Sequence, residues 1–425
     1  MLDYKFIKDN LEAVKQNIIN RNMTADADKV VELFDKRNAL VTKLQALQQK
    51  RNENAQSMKQ KLDAEKRQEL INIGKQIKEE ISAIENEEKQ ISQELEEAAR
   101  KIPNMVHPDV PVGKLDTENL EVKKVGIPRK FDFEPKDHVQ LGESLDIIDF
   151  DRGTKVSGPK FYYLKNEAVF LEQALIMYAL NTLRKHNFKL FITPDVAKED
   201  VLKGIGFNPR GNESNVYAIE DEGTCLVATA EITLGGYHQD EILNKENFPL
   251  LYGGLSHCFR REAGAAGQFS KGLYRVHQFD KVEMFAYSTP EQSNEIHEKL
   301  RLIEEEIFEG LGIPFHVVET CTGDLGAPAY RKWDLEAWMP GRNGGEYGEV
   351  TSTSNCTDYQ ARRLNIKYKD DDGKNKYVHT LNGTAIAVGR AMLAILENYQ
   401  NADGSVTIPP VLVPFCGFDV IKPKK

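Results

Sequence analysis

The feature that most constrains the fold is a long stretch without helix breakers. Residues 29–102 contain one glycine and no proline, and their apolar residues recur at the heptad spacing of coiled-coil helices. The repeat weakens around residues 59–66, so we predict two antiparallel helices of roughly 35 residues, each about 50 Å long. The first apolar stripe is Val30, Leu33, Leu40, Leu44 and Leu47, and the second is Leu70, Ile77, Ile84, Ile91 and Ala98, with Ile81, Leu95 and Ile102 beside it.

The charge of this hairpin is polarised. Nine Lys and Arg accompany four Asp and Glu between Lys43 and Lys78, whereas eight acids and one lysine lie between Glu79 and Glu97. A basic tip on a stiff lever suits a phosphate backbone that is reached at a distance. A coiled-coil spacer or dimerisation element with solvated charges is the alternative, and the hairpin alone leaves both open.

Composition limits the class of protein. The chain has 425 residues, of which 29% are charged, and a net charge of −10. It has no run of 18 apolar residues, so no membrane span is expected. The segment MLDYKFIKDN lacks an apolar signal core, which predicts a cytoplasmic location. The five cysteines are scattered without zinc-ligand spacing, so we expect reduced thiols and no structural zinc.

The rest of the chain changes character twice. Residues 103–135 contain five prolines and little periodicity, which predicts a linker. From residue 136 onward, strand patterns and turns outnumber helices, which predicts an α+β fold with a largely antiparallel sheet flanked by helices. We expect a helix within 165–195 that leads into a strand ending near Pro194, and another helix near 290–310. No GxxxxGK[ST] or GxGxxG occurs, which disfavours a P-loop or a Rossmann nucleotide site.

Residues 257–287 predict a β-hairpin with one charged face. Arg260 and Glu262 are two apart, and Arg275, Phe279 and Glu283 are spaced by four, so each set shares a strand face. Fixed cations on a rigid sheet suit a polyphosphate, and an aromatic ring suits a base. A solvated hairpin with ordinary ion pairs, or a helix, is the alternative. The opposite face contains Val276, Val282 and Met284, and the connecting loop contains Gly264, Gly267 and Gly272.

These residues carry a resemblance to a known family. FRRE, a glycine-rich loop and RVHQFDKVEMF look like motif 2 of the class II aminoacyl-tRNA synthetases, and the wider sequence resembles the bacterial-type seryl-tRNA synthetases. The resemblance implies a class II antiparallel-sheet catalytic domain after an N-terminal antiparallel two-helix coiled-coil arm. Further matching segments are TAE at 229–231, EVTSTSNCTDYQARR at 349–363 and LNGTAIAVGRAMLAILENYQ at 381–400.

The resemblance also implies a division into domains. It makes residues 1–102 a tRNA-binding helical domain, with the arm at about 29–100, and residues 136–425 the catalytic domain after the linker 103–135. The family's three motifs fall at about 165–195 (motif 1, the dimer interface), 257–287 (motif 2) and 381–400 (motif 3).

The implied reaction is activation of an amino acid by ATP. The carboxylate attacks the α-phosphate and pyrophosphate leaves, so catalysis rests on positioning and positive charge. By the resemblance the catalytic residues are Arg260, Arg275 and Arg390, and Glu349 with Ser352 binds Mg²⁺, a hard ion that takes oxygen ligands. A Glu beside a Ser/Thr-rich loop is common, so the metal site depends on the resemblance. The implied ATP-binding residues are Arg260, Arg261, Glu262, Arg275, Val276, Phe279, Glu349, Val350, Thr351, Ser352 and Arg390.

The resemblance further implies a pocket that recognises serine by its hydroxyl. Buried polar groups reject an analogue that leaves them unpaired. Thr384 and Glu283 are assigned to the hydroxyl, and Thr229 and Glu231 to the ammonium group. The implied serine-binding residues are Thr229, Ala230, Glu231, Arg260, Glu283, Asn382 and Thr384.

The implied function is that of a homodimeric serine–tRNA ligase. Its partners are ATP, L-serine and serine tRNA, which lies across both subunits, and selenocysteine tRNA where the organism has one. A ligase that loads a carrier protein and a non-catalytic synthetase paralogue are the alternatives. Gln268 stands where the family often has a basic residue, with Lys271 nearby, so this loop's contact with the tRNA acceptor end stays open.

Overall fold

The computed structural model describes residues 1–61, 63–208, 215–262 and 270–424. These residues form two compact units, Met1–Met105 and Val106–Lys425. Gly264, Gly267 and Gln268, which the sequence places in the motif 2 loop, lie outside the described residues. No helix in the described parts of the chain is long and apolar enough to cross a membrane.

The first unit is helical, and two of its helices form the predicted hairpin. Its helices are α1 (Tyr4–Asp9), α2 (Leu11–Asn20), α3 (Ala27–Ser57) and α4 (Ala64–Arg100). The side chains of Asp26 and Asp63 cap α3 and α4 by accepting hydrogen bonds from backbone N–H groups of their first turns. The heptad stripes meet in a core that contains Leu40, Leu44, Leu47, Ile77, Ile81 and Ile84.

Gly74 permits close packing of α3 against α4. A Cβ there would lie 3.0 Å from Asn54 Nδ2, and that amide donates a hydrogen bond of 3.0 Å to the Leu70 carbonyl. The single glycine of the stretch therefore lies where the two helices approach each other. The predicted coiled-coil arm is confirmed.

The second unit is built on one sheet of eight strands. The strands are β1 (Leu120–Val125), β2 (Lys189–Ile192), β3 (Leu250–Phe259), β4 (Gln278–Ser288), β5 (Phe315–Glu319), β6 (Arg331–Met339), β7 (Glu346–Asn355) and β8 (His379–Ala387). Along the sheet the order is β1-β5-β6-β7-β8-β4-β3-β2, and every neighbouring pair is antiparallel except β2 with β3. The predicted α+β class with a largely antiparallel sheet is confirmed.

Helices and short strands surround this sheet. The helices are α5 (His138–Ser144), α6 (Phe150–Ser157), α7 (Glu167–Lys185), α8 (Glu199–Ile205), α9 (Ala230–Gly236), α10 (Ser293–Leu311), α11 (Tyr359–Leu364), α12 (Val388–Asn398) and α13 (Val413–Cys416), with 3₁₀ turns at Asp116–Glu118, Lys245–Asn247 and Gly272–Tyr274. The short strands are Ile148–Asp149, Tyr163–Leu164, Val196–Lys198, Ala218–Ile219, Thr224–Leu226, Ile242–Leu243, Lys367–Lys369, Asn375–Tyr377, Val406–Thr407 and Val420–Ile421.

Alternation along β4 separates the core from the site. Met284 and Ala286 enter the core cluster that α7, α10 and α12 complete on one face of the sheet. Phe285 and Tyr287 point to the other face and join a second cluster. Glu283 shares that second face, so β4 directs its carboxylate away from the main core.

The linker prediction is wrong in part. Residues 120–125 of the predicted linker 103–135 form β1, the edge strand that pairs with β5. All but the last of its six residues are exposed, so the strand joins the sheet through its backbone and shows little apolar alternation. The expected helix and strand within 165–195 are present as α7 and β2, and the helix near 290–310 is α10.

Candidate active site

A cavity of about 200 Å³ opens on the second face of the sheet, where β4, β7, β8 and the start of α12 meet. Nearly all of the predicted site residues line it: Thr229, Glu231, Arg260, Glu262, Arg275, Val276, Phe279, Glu283, Glu349, Val350, Thr351, Ser352, Asn382, Thr384 and Arg390. The topology thus brings five separate segments of the sequence to one place.

Two predicted residues do not line the cavity. Ala230 is fully buried as the first residue of α9, and the side chain of Arg261 is exposed. Arg261 instead donates its backbone N–H to the Asn215 carbonyl at 2.9 Å. The cavity also has lining residues that the sequence analysis did not select: Phe207, Leu273, Tyr274, Lys281, Ser354, Ala387 and Gly389.

The predicted strand spacing holds for only part of motif 2. Phe279 and Glu283 lie on β4, four residues apart on one face. Arg260 and Glu262 come after β3 has ended at Phe259, and Arg275 precedes β4. The 3₁₀ turn Gly272–Tyr274 ends just before Arg275, and Glu262 has a positive φ of 51°. Loop geometry, and not strand alternation, therefore aims these three side chains into the cavity.

Three arginines line the cavity, and two of them, Arg275 and Arg390, hold one end of it. Arg275 Nη1 donates to Glu262 Oε2 at 2.7 Å. Arg390 lies in the first turn of α12 and donates to the Glu349 carbonyl at 2.8 Å. The guanidinium of Arg260 lies 5.3 Å from the centre of the Phe279 ring, and its Nε donates to the Ala228 carbonyl at 3.3 Å, next to Thr229. The backbone and ring partners hold guanidinium groups in fixed positions, which is what a polyphosphate site requires.

Glu349 is held ionised beside these cations. Desolvation alone would raise the pKa of its carboxyl, but Arg390 and Lys332 outweigh that effect and lower the pKa to about 2. Its Oε2 lies 3.2 Å from Arg390 Nη1. An ionised carboxylate and the hydroxyl of Ser352, both lining one cavity, are oxygen donors that fit Mg²⁺. Within the described ranges, no group of three or more His, Cys, Asp or Glu is arranged to hold a metal ion.

The other end of the cavity carries carboxylates and hydroxyls. Glu283 and Thr384 are directly opposed on β4 and β8, and Thr384 Oγ1 donates to Glu283 Oε2 at 3.3 Å. Lys281 Nζ lies 2.6 Å from the same Oε2, and both side chains of this ion pair are almost fully buried. A cation, a carboxylate and a hydroxyl therefore form one buried network that reaches the cavity.

Glu231 is the second carboxyl of this end. Thr229 caps α9 by accepting from the Glu231 N–H at 3.2 Å, which places the Glu231 side chain in the first turn. Gln360 Nε2 donates to Glu231 Oε1 at 2.8 Å, and Asn382 also bonds to this carboxyl. Desolvation, with the nearby Glu283 carboxylate, raises the pKa of Glu231 to about 7. Its charge therefore changes near neutral pH.

Lys281 is the main site residue that the sequence analysis missed. It lies two residues from Phe279 and two from Glu283, so strand alternation puts all three on one face. The sequence analysis used the spacing of four between Arg275, Phe279 and Glu283, and that spacing skips position 281. Tyr274 carried no such signal, because a loop residue's direction depends on the turn that contains it.

The fold and the site define a class II aminoacyl-tRNA synthetase core. The family "tRNA synthetase class II core domain (G, H, P, S and T)" matches residues 217–399. The family "Seryl-tRNA synthetase N-terminal domain" matches residues 1–106.

Relatives that match along nearly all of the chain identify its family within this class. A serine–tRNA ligase of Treponema denticola is 76% identical, covering 99% of this chain and 100% of its own, and one of Treponema pallidum is 60% identical with 100% of both chains covered. A crystal structure of seryl-tRNA synthetase from Pyrococcus horikoshii complexed with ATP has a TM-score of 0.93 and 42% identity, with 100% of both chains covered. The chain belongs to the seryl-tRNA synthetase family, whose members are serine–tRNA ligases.

Proposed function

We propose that this protein joins serine to AMP from ATP in this cavity and then passes the serine to the 3′ end of serine tRNA. The observation that carries the proposal is that two charge clusters line one cavity: Arg275 and Arg390 with Glu262 and Glu349, and Glu231 and Glu283 with Lys281. The guanidinium groups of Arg260, Arg275 and Arg390 suit a triphosphate, whereas the carboxylates of Glu231 and Glu283 suit an ammonium group and a hydroxyl.

In the first step the serine carboxylate attacks the α-phosphorus of ATP. A new P–O bond forms while the bond to pyrophosphate breaks, so negative charge builds up on the α-phosphoryl oxygens and the leaving group. Arg260 bridges the serine carboxylate and the α-phosphate, and Arg275 and Arg390 contact the γ-phosphate. Fixed cations stabilise this charge without a protein nucleophile.

We propose that Phe279 and Arg390 cover the two faces of the adenine, and that Glu262 accepts from its amino group. Glu262 already accepts from Arg275 at 2.7 Å, so nucleotide binding exchanges or shares this partner. Val276, Val350 and Thr351 supply walls of the nucleotide site.

Glu349 and Ser352 would hold Mg²⁺. When bound, the ion supplies positive charge to the phosphate oxygens. The ionised state of Glu349 supports this assignment, as does its place next to the arginines that face the phosphates. The protein's own contribution is to keep that carboxylate charged and oriented.

At the serine end, we propose that Thr384 and Glu283 read the substrate hydroxyl. Thr229, Glu231 and Asn382 hold the ammonium group. Lys281 pairs with Glu283, so the buried carboxylate has a counter-charge even when no substrate ammonium group is bound. An amino acid without the hydroxyl would make no hydrogen bond to this buried network.

The arm is proposed to bind serine tRNA, and selenocysteine tRNA where the organism has one. Basic side chains near the turn between α3 and α4 are exposed, as phosphate contacts require. The match of residues 1–106 to a synthetase N-terminal domain favours a tRNA over a carrier protein. We keep residues 1–102 as the tRNA-binding domain and residues 136–425 as the catalytic domain in this proposal.

We also propose a homodimer that forms through α7 and β2, the motif 1 region. Apolar side chains are exposed there, and such patches commonly mark interfaces; they include Val169, Phe170, Met177, Leu190 and Ile192. A cytoplasmic location is proposed because none of the five cysteines, all of which the structure describes, is in a disulfide.

Serine-dependent ATP–pyrophosphate exchange tests the proposal directly. Exchange should occur with serine and be much slower with each of the other nineteen amino acids, above all with alanine, which lacks only the hydroxyl. Charging of serine tRNA should follow the same preference. Exchange that prefers another amino acid, or ATP binding without any exchange, would contradict it.

A further inference from the structure

The ring of Tyr274 is shared by two guanidinium groups. Arg390 lies 4.7 Å and Arg342 lies 5.0 Å from the ring centroid. Tyr274 also accepts a hydrogen bond of 3.3 Å from Arg390 Nε at its backbone carbonyl. The position of Arg390 therefore depends on the position of Tyr274, since Tyr274 supplies two of its contacts.

Arg342 is held by the tight turn between β6 and β7. Its N–H donates to the Met339 carbonyl at 3.1 Å, and its own carbonyl accepts from the Gly345 N–H at 2.8 Å. Gly344 and Gly345 have φ angles of 86° and 115°, which residues other than glycine rarely adopt. The turn thus presents Arg342 from a fixed backbone.

The strand β7 leaves room for the Arg342 guanidinium. A Cβ added at Gly348 would lie 2.5 Å from Arg342 Nη1 and 3.2 Å from the Tyr274 ring. Gly348 immediately precedes Glu349, which pairs with Arg390. The guanidinium of Arg342 therefore packs over the backbone that carries this carboxylate.

A second cavity, of about 400 Å³, adjoins this cluster. Arg342 and Gly348 line it, and Tyr274, Arg275 and Glu349 line both this cavity and the first one. Of these shared residues, the proposed function places Arg275 on the γ-phosphate and gives Glu349 to Mg²⁺, while Tyr274 contacts Arg390. Arg342 consequently lies at the triphosphate end, behind the side chains that touch the nucleotide.

We propose that Arg342 is a positioning residue for ATP, which fixes Tyr274 and through it the guanidinium of Arg390. This inference rests on the proposed function, in which Arg390 contacts the γ-phosphate. Arg342 acts by stacking on the ring while Gly348 admits its guanidinium, and it does not itself touch the nucleotide.

The test compares variants in serine-dependent ATP–pyrophosphate exchange, with KM measured separately for ATP and for serine. Arg342→Ala should raise the KM for ATP about 5- to 30-fold, the range of a partly buried cation–π contact, while the KM for serine changes less than twofold. Arg342→Lys should recover part of the loss, because an ammonium group can still bind the ring face. Arg342→Gln, which keeps most of the length without the charge, should resemble the alanine variant.

Gly348→Ala tests the same proposal by displacing the Arg342 guanidinium without changing Arg342 itself. It should raise the KM for ATP in the wild-type background, because the added methyl group collides with Arg342. In the Arg342→Ala background its effect should be clearly smaller, since the 2.5 Å contact with the guanidinium is gone and only contacts of 3.1 Å to Met339 Sδ and 3.2 Å to the Tyr274 ring remain. Independent, multiplicative effects of the two changes would contradict the proposal.

Arg362 is the matched control. Its guanidinium lies 4.7 Å from the Tyr377 ring and it pairs with Asp358 at 2.8 Å, and it is not among the residues that line either cavity. Arg362→Ala should leave both KM values unchanged. Equal changes in both KM values for Arg342→Ala, or unchanged KM values with a lowered melting temperature, would mean that Arg342 only stabilises the turn.

Arg390→Ala distinguishes a failure of the proposed role of Arg390 from a failure of the inference about Arg342. If it leaves the KM for ATP unchanged, the proposed role of Arg390 is wrong and the inference about Arg342 fails with it. If it raises the KM for ATP while Arg342→Ala and Gly348→Ala do not, the proposed function stands and the inference alone is overturned.

Discussion

Thr384 donates a hydrogen bond of 3.3 Å to the carboxylate of Glu283 between two adjacent strands of the sheet. The two residues are 101 positions apart in the sequence. Their pairing places one hydroxyl and one carboxylate side by side in the cavity, apart from the pairs that Arg275 forms with Glu262 and Arg390 forms with Glu349. A substrate hydroxyl that enters this network can exchange hydrogen bonds with both residues.

Thr384→Val should therefore weaken serine selection. The valine has nearly the same shape but leaves Glu283 short of a donor and the substrate hydroxyl short of a partner, which costs about 1–3 kcal/mol. We expect kcat/KM for serine in ATP–pyrophosphate exchange to fall roughly 5- to 100-fold, with a smaller change in the KM for ATP. Thr384→Ser keeps the hydroxyl and should stay close to wild type. A valine variant with normal serine kinetics would remove Thr384 from the pocket.

Whether a site residue could be predicted from the sequence depends on whether it lies on a strand or in a loop. Phe279 and Glu283 were predictable because they lie on β4, where side chains alternate with a period of two. The same rule would have found Lys281. Strand spacing also selected Arg260 and Arg275, but both reach the cavity from loops, so that spacing is not the reason for their convergence and only the family resemblance gave them a role.

The fold shows the same limit. Heptad spacing predicted the α3–α4 hairpin and its turn, because burial and sequence periodicity coincide there. The edge strand β1 escaped prediction because its side chains are mostly exposed and its pairing is made by backbone groups. The stack of Arg342 on Tyr274 joins a turn to a distant 3₁₀ segment, and no local pattern records such a contact.

Lys281→Met should destabilise the folded protein strongly. Lys281 and Glu283 form an almost fully buried ion pair, and removal of the lysine leaves a buried carboxylate without its cation. We expect the free energy of unfolding of the catalytic unit, measured from its urea denaturation transition, to fall by about 3–5 kcal/mol.

The double variant Lys281→Met/Glu283→Gln distinguishes charge from packing. It removes both charges, so it should be more stable than Lys281→Met alone although it carries one more substitution. Lys36→Met, which breaks the exposed pair of Lys36 with Glu32, should change stability little. A double variant that is less stable than the single one would show that the Glu283 carboxylate is stabilised without the lysine, by partners such as Thr384.

The use of serine should depend on pH through Glu231. Its pKa is raised to about 7 by desolvation and by Glu283, so the carboxyl is largely protonated at pH 6 and largely ionised at pH 8. Only the ionised form attracts the ammonium group of serine. We expect kcat/KM for serine in the exchange reaction to rise roughly tenfold from pH 6 to pH 8 and then level off.

Glu231→Gln supplies the control for this pH dependence. The amide cannot ionise, so kcat/KM for serine should be low and nearly flat across the same range, whereas the KM for ATP should respond to pH alike in both proteins. Parallel serine profiles in the variant and the wild type would assign the titration to another group.

The arm should matter for tRNA and not for adenylate formation. Lys59, Lys61, Lys66 and Arg67 are exposed near the turn between α3 and α4, and neutralising them to glutamine removes four cations without touching the apolar stripe. We expect kcat/KM for tRNA in the charging reaction to fall at least ~10-fold at low salt, because each lost phosphate contact weakens binding. The salt dependence of charging should become shallower for the same reason, since fewer counterions are released.

Exchange without tRNA should remain at the wild-type rate in this variant, and circular dichroism should show the same helix content. The matched control replaces the exposed acids Glu85, Glu87, Glu94 and Glu97 of α4 with glutamine, which changes net charge by the same amount in the opposite direction. That variant should charge tRNA at least as well as the wild type, since it removes repulsion from phosphates. Equal loss of charging in both variants would indicate that helix stability, and not the basic tip, governs the use of tRNA.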